Sequence, residues 1–157
     1  MKDKIASRPD AKVTLRKITS DTVRTICGLK VADSQKHFVT PNAISIAEAY
    51  FRKEAWFRAI YADETPVGFV MLYEVPKFGS YAVWRLMIDA RYQGRGYGRR
   101  AMELIIKRIR RRPNAKTLTT YVEREEGGPE GFYRKFGFEL TGEIDSESGQ
   151  HKMKLDL

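Results

Sequence analysis

The chain has 157 residues, of which 42% are hydrophobic and 31% charged, and 29 Lys and Arg against 20 Asp and Glu leave a formal charge of +9. That length and balance describe one globular domain with a real core, and exclude a disordered, collagen-like or coiled-coil chain. A single cysteine, Cys27, excludes a disulfide framework, and two histidines, His37 and His151, leave no donor set for a metal.

In chain order, residues 1–11 form a polar, basic leader that can be flexible and is too polar for a signal peptide. Val13 to Ile18 alternates apolar and polar and predicts a first strand. Ser20 or Asp21 would cap a helix whose Val23, Ile26, Cys27 and Val31 share one face. The Ser45-Ile46-Ala47-Glu48 pattern reads as a capping box, so a second helix is expected from there to about Lys53. Trp56 to Tyr61 and Val67 to Glu74 flank the turn residues Asp63-Glu64-Thr65-Pro66 and predict an antiparallel hairpin. Tyr81 to Ile88 is a further apolar run and reads as the next strand.

Gly96 to Arg112 predicts an amphipathic helix with Tyr97, Ala101, Leu104, Ile105 and Ile109 inward and Arg99, Arg100, Glu103, Lys107 and Arg110 outward; Pro113 ends it. Thr117 to Val122 is a β-prone strand, Pro129 opens a short helix and Gly137 closes it. Phe138 to Leu140 and Lys152 to Leu155 alternate and close the sheet as a hairpin. A helix between the fourth and fifth strands requires those two to run parallel through a right-handed crossover. The expected fold is therefore α/β, a mixed and mostly antiparallel sheet with helices on both faces, in a single domain spanning residues 12–157.

The charge is local. Residues 1–17 carry +4 and residues 95–112 carry +7, whereas residues 18–94 carry +1 and residues 113–157 carry −3. The +7 segment follows Gln93-Gly94-Arg95-Gly96-Tyr97-Gly98, three alternate glycines opening a basic helix. Glycines there permit positive φ and close approach of a ligand. The helix-start amides and dipole, with Arg95, Arg99 and Arg100, suit a diphosphate. The dinucleotide fingerprint would need glycine where Arg99 stands, and the P-loop needs a Gly-Lys-Ser/Thr ending that is absent.

Gln93 to Gly98 resembles the Gln/Arg-x-x-Gly-x-Gly/Ala signature of the GNAT superfamily of acetyl-CoA-dependent N-acetyltransferases, and Phe132 to Phe138 resembles its second, Tyr-containing signature. Within that superfamily, Leu15 to Thr19, Phe38 to Asn42, Ala47 to Tyr50 and the Trp84 to Asp89 run resemble the bacterial spermine/spermidine (diamine) acetyltransferase branch. The resemblance implies acetyl-CoA as co-substrate with no metal, and a cytoplasmic enzyme that moves an acetyl group to a primary amine of a small polyamine-like molecule by direct attack. It implies a cofactor site at Met87, Ile88, Gln93, Gly94, Arg95, Gly96, Tyr97, Gly98 and Arg99, with Tyr133 as the acid for the leaving thiolate. The slot where acetyl group and amine meet is expected where the fourth and fifth strands part, near Ile88 and Thr119 to Val122. Glu74 is the candidate base, and Asp33, Glu48 and Trp84 are candidates for holding the acceptor. The family often carries an Asn ahead of the second signature, where this chain reads Glu125-Glu126-Gly127-Gly128-Pro129. Acetylation of a protein N-terminus, a lysine or another amine is the alternative enzyme reading. A basic nucleic-acid module using Arg95 to Arg112 is the non-enzyme one, and no recognition motif supports it. The expected partners are CoA and a small amine, without a membrane, and a homodimer is left open.

Overall fold

A computed structural model describes residue 8 and residues 10–157. Most of the basic leader, residues 1–7 and 9, lies outside the described residues. Seven strands form one sheet: β1 (Val13–Arg16), β2 (Ala55–Ala62), β3 (Thr65–Val75), β4 (Ser80–Ile88), β5 (Thr117–Val122), β6 (Glu139–Ile144) and β7 (His151–Asp156). Their spatial order is β1-β2-β3-β4-β5-β7-β6, and every neighbouring pair is antiparallel except β4 and β5. That parallel pair is the one forced by the intervening helix α3 (Tyr97–Arg110).

Two apolar layers hold the sheet. On one face Ile60, Val70, Leu72 and Val83 pack with Tyr97, Ala101, Ile105 and Ile109 of α3. On the other, Ala59, Phe69, Met71 and Met87 pack with Ile26 of α1 (Val23–Cys27) and with residues of α2 (Asn42–Tyr50). Strand β3 is buried from Val67 to Leu72 without a break, because it is covered on both faces. Gly68 lies where β3 comes close to β4, and a Cβ there would collide with the Met87 carbonyl.

The expected fold class holds, with local differences that have physical causes. Helix α1 begins at Val23, after Thr22 rather than Ser20 or Asp21, and ends at Cys27, so Val31 lies outside it. Helix α2 starts three residues before the apparent capping box and ends at Tyr50. Pro41, with φ of −53°, sets its first turn, and Ser45 is buried inside the helix with an unpartnered hydroxyl. The Asn42 side chain donates to the Ile26 carbonyl at 2.9 Å and ties α2 to α1. The β2–β3 connection is only Asp63-Glu64, with Asp63 at φ +50°, and Thr65 and Pro66 already belong to β3. On α3 the buried face includes Met102 and Ile106, while Leu104 is only half-buried.

Asp89 anchors the exit from β4. Its carboxylate is 3% exposed and accepts the Lys30 amide, the Arg91 amide and the Arg91 Nε, each at 2.9 Å. Burial pushes its pKa upward, but the Arg91 side chain and the two amides outweigh that and hold the carboxyl below its usual range. The stabilisation is therefore present above the ordinary Asp pKa of ~3.9 and fades as pH falls through the lower folded value. Asp89→Asn is expected to lower unfolding stability by about 2 kcal/mol at neutral pH. Denaturant titrations should show the difference from wild type closing below about pH 4; a pH-independent gap contradicts this account of Asp89.

Candidate active site

The site begins with a departure from regular pairing. β4 pairs with β5 only at Ala82–Thr119 and Val83–Thr120. Immediately beyond, the β3–β4 register slips, with Leu72 opposite Val83 but Met71 opposite Arg85. Trp84 is thus the extra residue of a β-bulge, a device that bends a strand and re-aims the residues after it. As the strands drift apart, hydroxyls of β5 reach across: Thr119 donates to the Tyr81 carbonyl at 3.3 Å and Thr120 to the Val83 carbonyl at 3.1 Å.

The bulge also changes which backbone groups face the gap. The Asp89 amide bonds to the Val67 carbonyl, so Gly68–Ile88 is a non-hydrogen-bonded pair of the β3–β4 ladder. The amides of Ile88 and, two residues earlier, Leu86 therefore point away from β3 into the opening. Met87 lies along the same opening, but its amide is turned into the β3 ladder and its side chain packs with Phe69 and Met71. The reason is the period of two along a strand.

Two cavities occupy the gap. One, of about 510 Å³, runs along Leu86 to Ile88, the glycine loop and the start of α3. The other, of about 880 Å³, lies beside Ala82 to Leu86 and β5. Phe38, Val39, Leu86, Pro129 and Tyr133 line both, so the two spaces adjoin along these residues.

The glycine loop forms one end of the first cavity. Gly94 and Gly96 have φ of +76° and +78°, and a Cβ on either would meet nothing within 4 Å. Glycine is needed there for conformation, and the loop's inner surface is open. Gly96 stands at the N-cap of α3, so the first-turn amides of Gly98 and Arg99, which helix geometry leaves without helical acceptors, lie along the cavity. Gln93 lines it too, but its side chain donates to the Ile88 carbonyl and to Gln35, each at 2.9 Å, and so braces the loop against β4. Arg99 pairs with Glu103 at 3.0 Å. The Arg100 guanidinium donates to carbonyls of Ala11, Gly96 and Arg95 and ties the chain before β1 to α3. Tyr97 reaches the same segment through its hydroxyl, 3.0 Å from the Arg8 carbonyl. Arg95 stacks on Tyr92 at 5.9 Å.

Tyr133 comes from α4 (Glu130–Arg134), a short helix that Pro129 starts and Gly137, at φ +97°, follows. Its ring is buried against Phe132 and Phe138. Burial, partly offset by a hydrogen bond with Thr120, pushes the phenol up to about 12.

Glu74 does not lie in the slot. It is buried on the α3 side of the sheet, where Arg108 bonds both carboxylate oxygens at 3.0 and 3.2 Å and Arg112 approaches to 3.2 Å. Arg108 also covers the Trp56 ring at 3.9 Å, and Arg58 approaches the same ring at 4.4 Å. Both guanidiniums hold the carboxylate on that face, and neither cavity is lined by it. Asp33 is also off both walls, 2.7 Å from Lys36 and almost fully exposed. Glu48 lies behind the second cavity, 3.5 Å from Arg85, while Trp84 lines that cavity directly. His37, read from sequence as a loop residue, sits on the second cavity's wall with Nε2 3.1 Å from Glu125. Thr120 lines the second cavity within the stretch where the slot was expected, whereas the sequence gives Arg85 and Leu86 no individual role, because a one-residue bulge decides their placement. Among the described residues no group of His, Cys, Asp and Glu could hold a metal ion, and no helix is long and apolar enough to cross a membrane.

Residues 26–138 match the model of the acetyltransferase (GNAT) family. The spermine/spermidine N(1)-acetyltransferase of Bacillus subtilis strain 168 is 25% identical over 154 residues, covering 92% of this chain and 99% of that protein. Among solved structures, the spermidine N-acetyltransferase of Vibrio cholerae with CoA and spermine superposes with a TM-score of 0.73 at 17% identity, over 92% of this chain and 95% of that one. The PaiA N-acetyltransferase of Thermoplasma acidophilum with coenzyme A gives 0.68 at 16%, over 93% and 99%.

Two outcomes are expected from this geometry. Phenolate absorbance of the folded protein should show one tyrosine ionising only near pH 12 and missing from Tyr133→Phe; superimposable titrations would contradict the buried phenol. Glu74→Gln leaves Arg108 and Arg112 without their anion and is expected to cost about 2–3 kcal/mol of stability. Turnover per folded molecule should survive that change, and its collapse would return Glu74 to the reaction.

Proposed function

The chain belongs to the acetyltransferase (GNAT) family, and from that premise we propose that it is an acetyl-CoA-dependent N-acetyltransferase acting on a primary amine by direct attack. The observation that carries this reading is the meeting of two cavities along Leu86 and Tyr133, at the point where β4 leaves β5. The open cradle at Gly94 and Gly96 fits a diphosphate, since nothing lies where their Cβ atoms would be and the α3 amides border the same space. Gln93 to Arg99 would hold that diphosphate, with Gln93 acting as a brace rather than a direct contact.

Acetyl-CoA supplies the activated acyl group as a thioester. The Leu86 and Ile88 amides, facing the opening, would pair with the pantetheine arm and donate to the thioester oxygen as it gathers charge, an interaction typically worth ~3 kcal/mol per donor. The nitrogen–carbon bond forms as the carbon–sulfur bond breaks, the electron pair leaving on sulfur and the amine's surplus proton leaving to water. Full transfer from a phenol near 12 to a thiolate whose acid has a pKa of ~8.5 runs uphill by about 5 kcal/mol. Tyr133 therefore serves first as a hydrogen-bond donor to the departing sulfur and gives up its proton last. An acceptor amine of pKa ~10 reacts only when neutral, so the rate rises with pH through the neutral range.

A polyamine acceptor is the reading that the resemblance and the names of the curated relatives support. A protein N-terminus or lysine would use the same cofactor site. The nucleic-acid reading loses its footing, because Arg100, Arg108 and Arg112 are spent inside the fold.

Acetyl-CoA is expected to raise the melting temperature of the wild type, and Gly96→Val, strained at φ +78°, to abolish that rise. Tyr133→Phe should keep the rise and lower kcat at least about tenfold. For the wild type, kcat/KM should climb towards pH 9 with no alkaline decline from Tyr133, since that phenol stays protonated to about 12. Unchanged turnover in Tyr133→Phe removes it from the reaction.

A further inference from the structure

The charge on the second cavity's wall bears on which amine enters it. Three cations line it, Lys36, Arg52 and Arg85, against a single carboxylate, Asp145. Asp145 is occupied in its own turn, accepting the Ser148 amide at 2.8 Å. The other nearby carboxylates do not line the cavity and are spent on wall residues, Asp33 on Lys36, Glu125 on His37 and Glu48 on Arg85, which leaves Arg52 as the wall cation with no carboxylate beside it among the described residues. A polycation in this space would meet like charges rather than a row of carboxylates.

Arg85 is the distinctive group. It follows the bulge at Trp84 and precedes Leu86, whose amide faces the gap. Its side chain is only 21% exposed, and its Nε is buried with no partner. Nη1 donates to the Trp84 carbonyl at 3.0 Å, and the contact to Glu48 is a long 3.5 Å. Burial lowers its pKa and Glu48, its one carboxylate partner, only partly opposes that. The part of the guanidinium that lines the cavity is a planar cation, the shape and charge that match a carboxylate. The cavity volume, about 880 Å³, is that of a small-molecule site.

We infer that the acceptor is a low-molecular-weight amine that also carries a carboxylate, bound with its anion at Arg85 and its amine towards Leu86 and Tyr133. Arg52, on the same wall, adds positive potential around the anion. This rests on the acetyl-transfer reading and narrows its acceptor to amino-acid-like molecules.

The test uses pairs differing only in the carboxylate: lysine against 1,5-diaminopentane and ornithine against 1,4-diaminobutane, with spermidine alongside, in a CoA-thiol release assay with products checked by mass. The carboxylated partner should have a kcat/KM about tenfold or more above the diamine, a difference typical of one well-made charged contact. Arg85→Gln should erase that preference through KM, leaving the acetyl-CoA-induced rise in melting temperature intact. Should Arg85→Gln fail to fold, the exposed Arg52→Gln should still reduce the preference. Preference for the diamines or spermidine, or a preference surviving both variants, overturns the inference. So does an intact acetyl-CoA shift with no carboxylated amine acetylated. Absence of both the shift and any acetylation overturns the acetyl-transfer reading itself.

Discussion

Everything at this site depends on the parting of two parallel strands after two residue pairs. Parallel strands in a covered sheet ordinarily pair along their length, and an opening between them exposes backbone donors and acceptors that must find other partners. Here the bulge at Trp84 makes the parting possible by turning β4 by one residue, so that Leu86 and Ile88 present amides to the gap. Thr119 and Thr120 offer hydroxyls where the ladder fails, and Gln93 covers the Ile88 carbonyl. The opening is thus held from both sides by side chains. Tyr133 closes its inner end, on the cavity wall it shares with the same Thr120 that caps the last paired carbonyl.

The electrostatics take a different shape from the raw excess of +9. Much of the basic segment is structural. Arg100 binds carbonyls on both sides of the α3 N-terminus, and Arg108 and Arg112 surround Glu74 beneath the sheet. Arg58 and Arg108 both use the Trp56 ring, an arrangement in which a desolvated cation gains from an aromatic face. The groups left for a diphosphate are mainly backbone: two glycines at positive φ and a helix start, with Arg95 and Arg99 nearby. A diphosphate bound there would therefore be recognised through geometry more than through counted charge.

Element order, the parallel pair and the glycine loop were legible because each rests on local chemistry: alternation in strands, a helix between β4 and β5, φ restrictions at Gly94 and Gly96. Tyr133 was legible only through its motif, since its place on the wall of both cavities depends on chain far away in sequence. Glu74 was misplaced for the same kind of reason. Its partners lie 34 and more residues on, and nothing near it in sequence says which face of the sheet it takes. The apparent capping box at Ser45 misled because Pro41 starts the helix a turn earlier and tertiary packing buries the serine. The bulge at Trp84 has no sequence signature, and with it went the roles of Leu86 and Arg85.

The central claim is that the open edge of β4 receives a ligand by backbone pairing. Residue-resolved amide hydrogen exchange with and without acetyl-CoA tests it most directly. The account predicts that the Leu86 and Ile88 amides exchange quickly alone and become protected on addition of acetyl-CoA, while Met87, already in the β3 ladder, is slow in both states. Leu86 and Ile88 amides that are already protected alone, or that gain no protection with the ligand, would contradict it.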